Sequence, residues 1–132
     1  MRTRPTLTSA DTQKIMAACK AEAEKNSWKV SIAIVDDAGV LLHFERSDGA
    51  SAAAAEICVG KAKAAAVFRR PTKAVEDLAK DRPAFLKVSI GIPIQGGLPI
   101  MYENECVGAV GVSGVQSHED EAVAHAGIAV LG

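Results

Sequence analysis

The stretch Val30-Ser31-Ile32-Ala33-Ile34-Val35-Asp36-Asp37-Ala38-Gly39-Val40-Leu41-Leu42-His43-Phe44-Glu45-Arg46 decides the fold. Its first six residues are rich in β-branched side chains, which suit a pleated, buried surface. Asp36-Asp37-Ala38-Gly39 carries turn chemistry, and Val40 to Arg46 reads as a second strand, so the two form a hairpin. A second hairpin is predicted from Leu98-Pro99-Ile100-Met101-Tyr102, a turn at Glu103-Asn104-Glu105, and a strand from Cys106 to Ser113. Strands joined this way pair antiparallel.

Helices surround the hairpins. Thr8-Ser9-Ala10-Asp11 is a short-acid relative of the capping box, followed by Ile15, Cys19 and Ala23 at fourfold spacing; this helix should end near Asn26-Ser27. Ser51 to Arg70 reads as a long alanine-rich helix stopped by Pro71. Thr72 is expected to cap a short helix ending before Pro83, and Phe85 to Gly97 to be an irregular edge or loop. Ser117-His118-Glu119-Asp120 is expected to cap the last helix, with its acids placed where the helix dipole favours them. Helix, hairpin, helices, hairpin, helix is an α+β order with an antiparallel sheet.

The chain has 132 residues, enough for one domain over 1–132 with a sizeable core. Net charge is −1 and aromatics are 4%, which argues against nucleic acid as the partner. No run reaches the roughly 18 apolar residues that span a bilayer, so no membrane partner is expected. Cys19, Cys58 and Cys106 lack metal-ligand spacing and read as reduced, buried small hydrophobes of a cytoplasmic protein. Twenty-four alanines and 11 glycines leave over a quarter of the chain nearly free of side chain. The alanines crowd the second helix and the glycines the last hairpin. Both patterns suit close backbone approach, or room for a ligand.

Lys61 is the most informative residue. It lies in the apolar stripe of Ile57, Ala64 and Phe68, where a lysine must snorkel, pair with an acid, or face a ligand cavity. In the last strand, Val107-Gly108-Ala109-Val110-Gly111-Val112-Ser113-Gly114 has glycines at every third position, not the spacing of a dinucleotide fingerprint. Ala109, Gly111 and Ser113 make one face shallow, and backbone N–H groups at Ser113 and Gly114 are a candidate anion contact. His43 shares a strand face with Leu41 and Glu45; it reads as structural, as a metal ligand, or as a general base. His118 and His125 read as surface residues.

Four segments together resemble a known family: Ile34-Val35-Asp36-Asp37-Ala38-Gly39; Phe44-Glu45-Arg46-Ser47-Asp48-Gly49-Ala50; Lys61-Ala62 through Phe68-Arg69-Arg70-Pro71-Thr72; and Gly96-Gly97-Leu98-Pro99-Ile100 through Val107 to Gly114. Glu119-Asp120-Glu121 and Ala126-Gly127 complete the pattern. The chain resembles the GlcG/HbpS family, which includes the C-terminal domain of PduO-type proteins. The resemblance implies a profilin-like α+β fold, an antiparallel sheet flanked by helices. It also implies homo-oligomers, from dimers to rings or octamers. Relatives bind haem and some degrade it; others are encoded with catabolic enzymes.

Two functions follow as expectations. In the first, haem is the cofactor or ligand. Haem-binding relatives use a histidine on the first helix, but Thr8 to Ser27 holds none, so His43 becomes the candidate iron ligand, with Lys61 and Arg69 pairing with the propionates. In the second, a small carboxylate metabolite sits among Glu45, Arg46 and Asp48, Lys61, and the Gly96-Gly97 loop. Lys61 would hold the carboxylate while His43 or Glu45 moves a proton, as in a tautomerase, hydratase or deaminase. A ligand-free assembly module is the third, blander reading. With only Trp28, Phe44, Phe68, Phe85 and Tyr102 for walls, a pocket would have to be shared between subunits or sized for something smaller than haem.

Overall fold

The computed structural model describes residues 1–131. Helix α1 (Ser9–Lys25) starts at Thr8, whose hydroxyl accepts the Asp11 N–H while the Asp11 carboxylate accepts the Thr8 N–H. Strands β1 (Ser31–Asp36) and β2 (Leu41–Arg46) form the first hairpin, and β3 (Gly97–Tyr102) and β4 (Glu105–Ser113) the second. Glu103 and Asn104 both take positive φ (49° and 65°), the backbone that a two-residue hairpin turn demands. Helix α2 (Ala52–Phe68) begins on the Ser51 hydroxyl, α3 (Thr72–Asp81) follows Pro71, and α4 (Ser117–Ala129) closes the fold.

All strand pairs are antiparallel, in the order β2-β1-β4-β3. This is the α+β architecture read from the two hairpins. Alternation along β1 and β4 divides the core into two. Ile32, Ile34, Val110 and Val112 point to α1 and α4, where they meet Ile15, Met16, Cys19 and Val123. Ala33, Val35 and Ala109 point to α2, against Cys58, Ala62, Ala65 and Ala66. The second contact is nearly backbone on backbone: a Cβ added at Gly111 would lie 2.1 Å from the Cys58 carbonyl oxygen. The small residues of α2 and β4 serve close approach.

Two caps differ from the sequence reading. Thr72 is the first residue of α3 and Pro71 its cap; the Thr72 hydroxyl instead accepts the Gly97 N–H at 2.8 Å. At α4 the cap is Gln116, in a reciprocal box with Glu119. The β1–β2 register slips between Ile34 and Val35, so Leu41 pairs with Val35 while His43 pairs with Ile34. Leu41 is thereby separated from the His43–Glu45 face.

The irregular segment after the 3-10 turn at Pro83–Lys87 is held by distant groups rather than by a ladder. Ile92 N–H donates to the Gly60 carbonyl, and Gln95 N–H donates to the Glu76 carboxylate at 2.9 Å. The Gln95 bond, helped by Lys80, holds the Glu76 carboxyl below the usual carboxylate range. A carboxyl depressed in the folded state contributes stability above its unfolded pKa and loses it as pH falls through the folded value. The protection of the Gln95 amide, its exchange measured against the intrinsic rate at each pH, is therefore expected to fall below about pH 4.5, and to be low already at pH 6 in Glu76→Ala. Equal protection of Gln95 in wild type and variant at pH 6 would contradict this tether.

Candidate functional site

The residues singled out in the sequence fall into three places. Glu45, Arg46 and Asp48 line a cleft of about 440 Å³ between the C-terminal end of α1 and β2. Lys20, Trp28 and Lys29 also line it. Lys20 pairs with Glu45 at 3.1 Å. Arg46 donates through Nε (3.1 Å) and Nη2 (2.8 Å) to the Ala50 carbonyl, which fixes the guanidinium near the start of α2, on the strand face that also carries Phe44. His43 is half-buried one alternation step from Glu45 on the same strand face, about 7 Å along the strand.

The second place is buried. Lys61 is 3% exposed and donates to the Asp120 carboxylate at 2.9 Å and to the Val112 carbonyl at 3.0 Å. Asp120 is 2% exposed, and its other oxygen accepts the Val115 N–H at 3.1 Å. Burial raises the Asp120 carboxyl above its usual range, against the pull of Lys61 and Val115. Gly96 and Gly97 make room for this lysine: a Cβ at Gly96 would meet Lys61 Nζ at 2.7 Å, and one at Gly97 the Lys61 carbonyl oxygen at 2.5 Å. Val112 donates its N–H to Gly96, so Lys61 satisfies a carbonyl near the point where β3 begins. Ser113 is buried beside this pair and faces Ser31 across the β1–β4 ladder.

The third place is the end of α2, where Arg69 takes a left-handed conformation (φ 57°) and is exposed. The structure does not bring Lys61 together with His43 and Glu45. β2 lies two strand spacings from β4, about 10 Å, and the Lys61 ammonium lies beyond β4 on the β3 side. Lys61 found an acid partner, one of the three fates open to it.

Sequence reasoning missed Asp120 as that partner, and Lys20, Trp28 and Lys29 as cleft walls. Asp120 was legible in principle: it shares a helix face with buried Val123, Ala124 and Gly127. Burial pushes the Cys19 and Cys58 thiols up to about 12, so both are protonated near neutral pH. Among the described residues no group of three or more His, Cys, Asp or Glu side chains could hold a metal ion. No helix among them is long and apolar enough to cross a membrane. His118 and His125, both exposed, border a second, shallower hollow of about 550 Å³ with Glu22 and Leu98.

The fold defines the class: an α+β protein with a four-stranded antiparallel sheet between helices. A family model described as haem degrading protein HbpS-like matches residues 7–129, and the chain belongs to that family. It is 41% identical to protein GlcG of Escherichia coli K12 over 114 residues, 86% of this chain and 85% of the relative. The crystal structure of a double mutant of Streptomyces reticuli HbpS superposes with a TM-score of 0.93 at 31% identity, covering 100% of this chain and 91% of that one. A PduOC:heme complex shares the fold, with a TM-score of 0.87 at 21% identity over 95% of this chain and 94% of that chain.

Proposed function

We propose that the protein binds haem along the seam of α1 and β2, with His43 as the iron ligand and the neighbouring cleft receiving one edge of the ring. The observation that carries this reading is the placement of His43. It is the half-buried histidine of the three, and it shares a strand face with Glu45, which lines the cleft. Membership of a haem degrading family supports the ligand class. The residues present fit one edge of the group: Trp28 offers an apolar wall and exposed Lys29 a cation in the cleft, and His43 offers an imidazole one alternation step along the strand. Bound haem would supply redox chemistry at its iron. The protein's own part is to orient the ring, neutralise its carboxylates and shield one face from water. Exposed Leu41 and Leu42 at the start of the outer strand, with Val40 just before it, leave an apolar edge near His43, suited to a second subunit that would close the site.

Haemin titrated into the protein is expected to give a shifted Soret band, weakened about tenfold or more in affinity by His43→Ala. An unchanged spectrum at saturating haemin would exclude this function. A Soret band indifferent to His43→Ala but lost in His118→Ala or His125→Ala would move the ligand to α4. The carboxylate-enzyme reading built on Lys61 with His43 or Glu45 has less support, because Lys61 is already engaged by Asp120 and Val112.

A further inference from the structure

We propose that β2 is the seam of a homodimer: it pairs antiparallel with β2 of a second copy about a two-fold axis at Phe44, which sets Glu45 of the partner subunit opposite His43. The two edges of the sheet differ. At β3 the Val112 N–H donates to the Gly96 carbonyl, so the main-chain groups of Gly97 and Pro99 point outward in the β3–β4 register. That edge is closed: the Thr72 hydroxyl accepts the Gly97 N–H and donates to the Gly97 carbonyl, and Pro99 has no N–H to offer. At β2 the Ser47 N–H donates to the Val30 carbonyl, so Glu45 and His43 turn their main-chain groups toward β1, while Phe44 and Arg46 turn theirs outward. No proline interrupts this edge, and exposed Leu41 and Leu42 add apolar surface to it. Such an edge is a template for another strand.

The residues of β2 select a second copy as that strand and fix its register. Outward groups pair only with outward groups, so the axis must pass through a residue rather than between two. An axis at Glu45 would oppose two carboxylates, and one at His43 would set Leu41 against Glu45. An axis at Phe44 sets His43 against Glu45 twice, at the non-hydrogen-bonded position where Cα atoms come within about 4.5 Å and side chains lie closest. Phe44 then meets its own copy, and Leu42 lies beside the Arg46 stem, which its bonds to Ala50 already hold. Lys20 holds the Glu45 carboxylate at 3.1 Å, so the acceptor offered to the partner is oriented in advance. In one respect the proposal rests on the haem reading: Glu45 of the partner subunit is then a positioning residue, accepting one ring N–H of His43 and turning the other nitrogen toward iron.

The full chain without haem tests the pairing. Light scattering at 100 µM is expected to give an even multiple of the chain mass. The double variant His43→Cys with Glu45→Cys should oxidise to disulfide-linked dimers, because the paired positions have the Cα separation a disulfide needs. His43→Cys alone and Glu45→Cys alone should stay at the wild-type background set by half-buried Cys106, since like positions lie about 7–8 Å apart on the diagonal. A monomeric wild type would overturn the proposal. So would an oligomer whose double variant cross-links no more than the single ones, which would place the assembly on another face. With haemin bound, Glu45→Gln should raise the iron reduction potential at unchanged molecular mass. An unchanged potential would overturn the role of Glu45 toward iron, and failure to bind haemin would leave the strand-pairing result standing by itself.

Discussion

Asp120→Ala is expected to lower the thermal unfolding midpoint by about 10–20 °C. The variant leaves the Lys61 ammonium buried with only the Val112 carbonyl for company. Removing one partner of a buried pair costs about 3–5 kcal/mol, because the surviving charge must be dehydrated without compensation. For a chain of this length each kcal/mol corresponds to about 4 °C. Asp120→Asn should cost less, since its amide oxygen still accepts a hydrogen bond. The double variant Lys61→Met with Asp120→Leu should recover most of the loss, as apolar replacements of buried pairs commonly do. Melting by circular dichroism decides the point. An Asp120→Ala protein that melts with wild type would mean the pair contributes nothing to holding α2 and α4 together.

The other large effect is expected at the floor beneath α2. In Gly111→Ala the new methyl would meet the Cys58 carbonyl oxygen at 2.1 Å and the Ala62 nitrogen at 2.4 Å, both backbone atoms of the helix. Neither can step aside without moving α2, so the cost should reach about 3 kcal/mol, the upper end for overpacking. Gly60→Ala is the control. Its methyl would meet the Ile92 side chain, Cδ1 and Cγ1 at 2.5 Å and Cβ at 3.1 Å, so the irregular segment carrying Ile92 must shift while α2 stays on the sheet, at a cost of about 1–2 kcal/mol. Urea denaturation of the two variants should separate them clearly. If Gly111→Ala proved as mild as Gly60→Ala, the helix could lift from the sheet without penalty.

The two hairpins were legible because alternation and turn residues are local signals, and they fixed the α+β class. The caps of α3 and α4 were misread by one residue for a local reason. Serine and threonine are better generic caps than glutamine or proline, yet Gln116 reciprocates with Glu119 and Thr72 is drawn to Gly97. Residues 88–96 resisted reading because their backbone partners, Gly60 and Glu76, lie far away in sequence. The cleft was half legible. Glu45, Arg46 and Asp48 come from one strand end, whereas Trp28 and Lys29 sit in a connection that carries no periodicity. Lys61 was flagged by its place in an apolar stripe, but its partner is 59 residues away and looked like an ordinary first-turn acid.

The glycine and alanine floor under α2 has a consequence for positional freedom. Large interlocking side chains act as teeth that stop a helix from sliding along a sheet; methyl groups on bare backbone do not. Such a contact sets the height of the helix while leaving its travel along its own axis weakly specified. The Lys61 ammonium, anchored to Val112 on the strand and to Asp120 beyond it, works as a pin through that smooth bearing. One polar contact thus fixes the coordinate that the apolar surface leaves loose.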